Sequence, residues 1–158
     1  MQYHLWRLVT ALVQRIPLRV SYTIAAAAGN IAFYAWPRGR RATIANFSRV
    51  LPEASSSRVR RVARQSIVNY CMYLADFVRF PAMTSAELIE NAESNGAFER
   101  LAATLEDGRG AVIASMHFGN WDLGAGACAA HGLPLAAVVE RFEDPRLDEM
   151  VSGAREAA

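Results

Sequence analysis

Residues 108–124, GRGAVIASMHFGNWDLG, carry the strongest structural signal in this sequence. After the glycines comes an uninterrupted apolar run, residues 111–116, which is typical of a strand buried on both faces in a parallel sheet. The pattern then predicts a helix from about residue 120 to residue 130, and a second buried strand over residues 133–139. Strand, helix and strand in this order predict an α/β fold, in which N-terminal helices lead into a partial, mostly parallel sheet flanked by helices.

Two side chains in this stretch have the chemistry of a catalytic pair. His117 stands at the predicted carboxyl end of the first strand and Asp122 about one turn into the next helix, where open α/β sheets place their ligand chemistry. The Asp122 carboxylate can accept a hydrogen bond from one imidazole nitrogen and leave the other nitrogen free as a base. Gly119 permits close approach of a substrate to the backbone, and Asn120 is placed to cap the helix.

The same stretch belongs to a longer pattern that includes residues 80–110, FPAMTSAELIENAESNGAFERLAATLEDGRG, and residues 138–156, VVERFEDPRLDEMVSGARE. This pattern resembles the bacterial lipid A biosynthesis acyltransferase superfamily, which also contains the phosphatidylinositol mannoside acyltransferases of actinobacteria. The shared signature is a Gly-rich turn, a buried strand, and then His, Gly-Asn-Trp and an acidic residue. The resemblance covers residues 59–156, and the apolar N-terminus more loosely. It implies an O-acyltransferase with a truncated, glycerolipid-acyltransferase-like fold.

Roles for individual residues follow from the resemblance. It implies that His117 is the general base that deprotonates an acceptor hydroxyl and that Asp122 orients it. The implied donor is acyl-CoA or acyl carrier protein, and the implied acceptor is a membrane glycolipid of the lipid A precursor or phosphatidylinositol mannoside type. Asp rather than Glu at the acidic position favours the mannoside enzymes slightly. Gly119, Asn120 and Arg155 are the implied substrate contacts, Arg155 towards a phosphate or the thioester carrier, and no cofactor is implied.

Members of that superfamily are longer than this chain, so the resemblance also implies that residues 1–158 form an N-terminal fragment. We expect residues 1–54 to form membrane-associating helices with a basic turn, and residues 55–158 to form the first half of the acyltransferase domain. The chain alone is then expected to bind membrane and to transfer little acyl group. The alternative is a non-catalytic membrane-associated fragment or interaction protein, in which the motif persists without the residues it once served.

Charge is distributed unevenly along the chain. Residues 1–79 contain 12 Arg and 2 acidic residues, a formal charge of +10, whereas residues 80–158 contain 5 Arg and 13 acidic residues, a formal charge of −8. Residues 20–36 carry no formal charge, and Arg38, Arg40 and Arg41 follow them. This order predicts an interfacial helix followed by three arginines that meet an anionic membrane surface and its phosphates. The alternatives are an apolar helix packed on the domain and a solvated turn.

A second helix signal begins at residues 55–57, where three serines offer N-caps to a helix with apolar positions from residue 59 to residue 78. One side of this helix carries Arg58, Arg61 and Arg64. Lipid phosphate, an acidic carrier protein and plain solvent are all suitable neighbours for that side. Further on, Thr84 and Glu87 predict a capping box, and a short helix is predicted from residue 96 to residue 107.

Several other classes of site and location are not predicted. Cys71 and Cys128 fall on apolar helix faces, so we expect buried free thiols in a reducing compartment. His4 and His131 lack metal-ligand spacing, and we expect structural roles and no metal site. No phosphate-binding loop, serine-hydrolase elbow, secretory signal or nucleic-acid-binding pattern is present. The predicted location is the cytoplasmic face of the inner membrane, as a peripheral or monotopic protein.

Overall fold

The computed structural model describes residues 2–92 and 94–156, and all regular secondary structure in this part of the chain is helical. The α-helices are α1 (Gln2–Val13), α2 (Leu18–Ala35), α3 (Pro37–Val50), α4 (Ser56–Arg79), α5 (Ser85–Asn91), α6 (Ala97–Leu105), α7 (Trp121–Ala130) and α8 (Pro145–Glu156). A 3₁₀ turn, Phe80–Ala82, lies between α4 and α5.

The predicted α/β fold with its parallel sheet is wrong, because no strand occurs in the described residues. Residues 111–116 and 133–139, predicted as buried strands, are irregular and largely exposed. Val112 is 98% exposed and Met116 is 82% exposed. A strand needs a neighbouring strand to pair its backbone N–H and C=O groups, and an apolar run specifies a tendency to be buried but not that neighbour.

The chain divides into two compact units. The first, called the basic unit, is Thr10–Val78. It contains ten Arg and two acidic residues, a formal charge of +8. The second, called the site unit, consists of Met1–Val9 with Arg79–Ala158. It contains seven Arg and 13 acidic residues, a formal charge of −6.

In the basic unit, α2 packs through a stripe of mostly small residues. Ser21, Ala25, Gly29 and Phe33 recur every fourth position and are buried. A Cβ atom on Gly29 would lie 2.7 Å from the Cα atom of Val68, so the backbones of α2 and α4 are in contact at this point. The contact requires glycine, because any larger residue would push the two helices apart.

The two long helices of the basic unit are also joined by polar contacts. The Tyr22 hydroxyl donates a hydrogen bond of 2.6 Å to Asp76, linking α2 to α4. At the start of α4, Ser55 Oγ accepts a long hydrogen bond of 3.4 Å from the backbone N–H of Arg58, so the predicted serine cap is confirmed. None of the described helices is both long and apolar enough to cross a bilayer.

In the site unit, α7 packs against α5 and the 3₁₀ turn. A Cβ atom on Gly126 would lie 2.7 Å from Cζ of Phe80, and Leu88 of α5 is only 1% exposed. The capping box predicted at the start of α5 is confirmed, since the side chains of Thr84 and Glu87 each accept a hydrogen bond from the other's backbone N–H. The backbone and side-chain hydrogen bonds from Thr84 hold the pKa of Glu87 below its ordinary value.

Helices α6 and α8 attach to the site unit through ring contacts. Helix α6 follows Gly96, whose φ of 77° lies in the left-handed region, and its Phe98 ring stacks on His131 with ring centroids 4.3 Å apart. The guanidinium of Arg146 in α8 lies 5.1 Å from the centroid of the Tyr3 ring in α1. The sequence signals predicted α6 and did not predict α8.

Candidate active site

The motif His117 lies at the apex of a tight turn in the irregular segment before α7. The backbone N–H of Phe118 donates a hydrogen bond of 2.7 Å to the carbonyl of Met116, which closes the turn around His117. The three side chains at this turn are exposed, Met116 by 82% and Phe118 by 87%. The structure therefore places an accessible imidazole between two accessible apolar side chains.

Gly119 and Asn120 redirect the chain from the turn at His117 into α7. Gly119 has a φ of 71°, a left-handed conformation that L side chains rarely adopt. Asn120 is the N-cap of α7, and its Oδ1 atom accepts a hydrogen bond of 3.0 Å from the backbone N–H of Leu123. The predicted cap is thus confirmed, and glycine at 119 is explained by the turn that the backbone makes there.

The imidazole of His117 has an aromatic neighbour on α7. Its ring centroid lies 4.6 Å from that of Trp121, with an angle of 52° between the ring planes. This contact fixes one side of the imidazole, because the indole sits on the first residue of a capped helix. Trp121 is not among the site residues predicted from sequence; the signal that could have found it is its position four residues after His117 and directly before Asp122.

The carboxylate of Asp122 lies on the inner face of α7. Asp122 is 6% exposed and shares the buried face of the helix with Gly126 and Ala127. A buried carboxylate is tolerated only with partners, and Asp122 is partnered in the structure. Its place in the first helical turn also suits a negative charge, since helix N-termini are electropositive. A direct hydrogen bond between Asp122 and His117 stays a prediction.

The turn before the motif is held by an ion pair. Asp107 pairs with Arg109, whose side-chain and backbone N–H groups both donate to the carboxylate. The side-chain hydrogen bond from Arg109, helped by the backbone one, keeps the pKa of Asp107 below its ordinary value. Gly108, with a φ of 74°, turns the chain between them. This exposed ion pair lies at the start of the segment that carries His117.

The remaining predicted site residues, four arginines, lie on helices α3 and α8. Arg155 belongs to α8, but its side chain lies outside the described residues. Arg38, Arg40 and Arg41 lie in the first turns of α3, in the basic unit, where Arg38 and Arg41 are exposed and Arg40 is half-buried. These three arginines were predicted as membrane or phosphate contacts, and that role stays a prediction.

Within the described residues, neither the cysteines nor any group of possible metal ligands forms a second candidate site. Cys71 and Cys128 are free thiols, as predicted, and both are half-buried. Partial burial raises the pKa of each thiol, which favours the less nucleophilic protonated form. Among the residues that the structure describes, no group of three His, Cys, Asp or Glu side chains could hold a metal ion.

Comparison with known proteins identifies the class to which this arrangement belongs. The chain belongs to the bacterial lipid A biosynthesis acyltransferase family, which it matches over residues 2–158. Within known proteins, the chain is similar to the phosphatidylinositol mannoside acyltransferase of Mycolicibacterium smegmatis, with which it is 30% identical over 102 residues. That match covers 65% of this chain and 33% of the relative, so the chain spans only about a third of the relative's length. No solved structure matches the chain.

Proposed function

We propose that the acyltransferase carrying this chain transfers a fatty acyl group from an acyl thioester to a hydroxyl of a membrane glycolipid. The observation that carries the proposal is the exposed imidazole of His117, whose ring packs against Trp121. Trp121 directly precedes the buried carboxylate of Asp122, and the chain belongs to a lipid A acyltransferase family. An imidazole in this position is accessible to a substrate and supported on one side by a capped helix.

In the proposed reaction, one nitrogen of His117 takes the proton from the acceptor hydroxyl as its oxygen attacks the thioester carbonyl. The new C–O ester bond forms, the C–S bond breaks, and the departing sulfur receives the proton from the imidazolium. Products are the acylated glycolipid and a free thiol on the donor. No acyl-enzyme intermediate is needed, because the residues at this turn include no activated Ser or Cys nucleophile.

The neighbours of His117 have separate roles in this proposal. Asp122 orients the imidazole and balances the positive charge that His117 gains during the reaction. Trp121 restricts rotation of the ring and presents an aromatic surface to the transient imidazolium. The left-handed turn at Gly119 keeps the space beside the base free of a side chain, so the substrate can approach the backbone.

The donor is acyl-CoA or acyl carrier protein, and the acceptor is of the lipid A precursor or phosphatidylinositol mannoside type. The activity of the Mycolicibacterium smegmatis relative and the Asp at position 122 favour a mannoside acceptor. Arg155 and Asn120 are further proposed substrate contacts. Met116 and Phe118, both exposed, offer apolar surface beside His117 for the acyl chain.

The proposed location is the cytoplasmic face of the inner membrane, held peripherally or monotopically by the basic unit. Two observations support attachment of the basic unit to a membrane: the formal charge of +8, and the outward side of α2, where Ile24 is 57% exposed and Ile31 is 66% exposed. A helix that is apolar on both its buried and its outward side is suited to an interface with lipid. Each arginine near anionic lipid contributes about 1 kcal/mol.

Incubation of the acyltransferase with labelled acyl-CoA or acyl carrier protein tests the proposal. Each donor is paired with mannoside and with lipid A precursor acceptors, and products are separated by thin-layer chromatography and mass spectrometry. The expected product is a glycolipid carrying one additional ester-linked acyl chain, with one equivalent of thiol released. Release of free fatty acid at the same rate with and without acceptor would mean that the protein is a thioesterase, and the proposal would fail.

A further inference from the structure

Three arginine side chains contact two residues on adjacent turns of α2 in the basic unit. Those of Arg40, from α3, and Arg60, from α4, lie 6.0 Å and 5.7 Å from the ring centroid of Phe33. The ring itself is completely buried. One turn earlier on α2, Asn30 Oδ1 accepts a hydrogen bond of 3.1 Å from Nη1 of Arg64 in α4. We call Arg40, Arg60 and Arg64 the arginine cluster.

The helical register explains why these side chains meet. Asn30 and Phe33 are three residues apart and share one side of α2, while Arg60 and Arg64 are four apart and share one side of α4. A guanidinium stacked on a ring keeps its in-plane N–H donors available for an anion. Because the ring and the amide already hold these side chains, a ligand would need to order little when it binds.

The arginine cluster lacks an acidic partner among the residues described. Its described contacts are with an aromatic ring, an amide oxygen and the backbone carbonyl of Tyr34, which accepts from Arg40 Nη1 at 3.4 Å. The basic unit contains only two acidic residues, Glu53 and Asp76, and Asp76 accepts the hydrogen bond from Tyr22. Three clustered positive charges in a unit of charge +8 favour an anionic ligand, and the forked donors of arginine match phosphate oxygens.

Apolar side chains beside the cluster indicate which anion. Tyr34, whose ring lies edge-on to that of Phe33 with centroids 5.3 Å apart, is 56% exposed, and Trp36 at the C-cap of α2 is 59% exposed. A free phosphate in water gives these side chains nothing to bury against. A lipid headgroup does, because its phosphate lies next to hydrocarbon, and Tyr and Trp favour that boundary.

We propose that the arginine cluster binds the phosphate of a membrane lipid headgroup while the neighbouring apolar side chains of α2 enter the bilayer interface. The proposal rests on the membrane association proposed above and makes it specific. Of Arg38, Arg40 and Arg41, predicted from sequence as membrane and phosphate contacts, only Arg40 belongs to the site; Arg64 comes from the side of α4 for which lipid phosphate was one of three alternatives. Arg38 and Arg41, both exposed, contribute long-range attraction alone.

Vesicle binding with two charge-matched triple variants tests the proposal. The cluster variant carries Arg40→Gln, Arg60→Gln and Arg64→Gln. The control variant carries Arg38→Gln, Arg41→Gln and Arg58→Gln, three exposed arginines from the same two helices. Vesicles of phosphate-free digalactosyldiacylglycerol are doped with phosphatidylglycerol or with oleate to equal zeta potential, so that only one of the two surfaces carries phosphate.

The unchanged protein should bind the phosphatidylglycerol vesicles at least about tenfold more tightly than the oleate vesicles, the effect of one charge-assisted hydrogen bond or more. The control variant should bind both surfaces more weakly and keep the tenfold ratio. The cluster variant should bind both surfaces equally. A third variant with Lys at all three cluster positions keeps the charge, and far-ultraviolet circular dichroism checks its fold; it should lose most of the ratio.

Three results would overturn the proposal, and each has a different meaning. Equal binding of the unchanged protein to both vesicles, or equal ratios in the cluster and control variants, would leave membrane association by charge intact and remove the phosphate site. Failure to bind either vesicle would remove the membrane association itself. Inorganic phosphate that binds by calorimetry as tightly as the vesicles would show a site for free phosphate instead of lipid.

Discussion

Replacing Gly126 by Ala should destabilise the site unit, whereas the same replacement at Gly124 of the same helix should stabilise it. A Cβ atom at position 126 would lie 2.7 Å from Cζ of Phe80 and closer still to Cε2. A Cβ atom at position 124 would meet nothing within 4 Å among the described residues. Phe80 is only 4% exposed, so its ring cannot move into solvent to make room.

The size of the effect follows from these contacts. Non-bonded carbons prefer a separation of roughly 3.5–4.0 Å, so the Phe80 ring would have to shift by about 1 Å. Overpacking of this kind costs about 1–3 kcal/mol. Alanine in a helix is favoured over glycine by about 1 kcal/mol, a gain that both variants receive. The free energy of unfolding should therefore fall by about 1 kcal/mol for Gly126→Ala and rise by up to about 1 kcal/mol for Gly124→Ala.

Urea unfolding followed by the helical circular dichroism signal measures this difference. Equal m-values for the two variants would show that both unfold with exposure of the same surface, so that the midpoints compare directly. The expected result is a lower midpoint for Gly126→Ala and a higher one for Gly124→Ala. Equal midpoints, or the reverse order, would refute the close packing of α7 on the 3₁₀ turn and with it the burial of the Asp122 carboxylate.

Substitutions at three further positions test other contacts. Gly29→Ala should lower the free energy of unfolding by about 2 kcal/mol, because the obstacle is the backbone of Val68 and cannot rotate away; an unchanged urea midpoint would refute the α2–α4 contact. Asn120→Ala should cost about 1 kcal/mol of thermal stability while Asn120→Ser retains it, and equal loss in both would exclude a capping role. Trp121→Leu should lower kcat about tenfold with little change in KM, the value of one aromatic contact, and Trp121→Phe should restore most of it. Unchanged kcat in Trp121→Leu would remove the positioning role beside His117.

Local chemistry in the sequence predicted the local structure correctly. The Asn120 cap, the Thr84–Glu87 capping box and α6 behind Gly96 each depend on residues within four positions of one another. Such signals need no information about the rest of the chain. The position of His117 just before a capped helix follows from the same local signals, whereas its role as a base was implied by the resemblance to a family and stays a prediction.

The sequence pattern did not predict contacts between residues that are distant along the chain. The apolar residues 111–116 predicted a strand, but strand formation depends on a partner elsewhere, and in the described residues this segment is irregular. The arginine cluster shows the same difficulty, because Arg40 and Arg60 come from different helices that meet on Phe33. The sequence grouped Arg40 with its neighbours in the chain, since the packing of α3 and α4 around α2 is not a local property.

The kcat for acyl transfer by His117→Gln tests the central claim most directly. Glutamine retains hydrogen-bonding capacity at this exposed turn but cannot accept the hydroxyl proton, and His131→Gln provides a matched control at another exposed histidine. The account predicts a fall in kcat of about 10²–10⁴-fold for His117→Gln, the usual contribution of a general base, with KM and vesicle binding unchanged. A His117→Gln enzyme that turns over as fast as the His131→Gln control would contradict the assignment of His117 as the base.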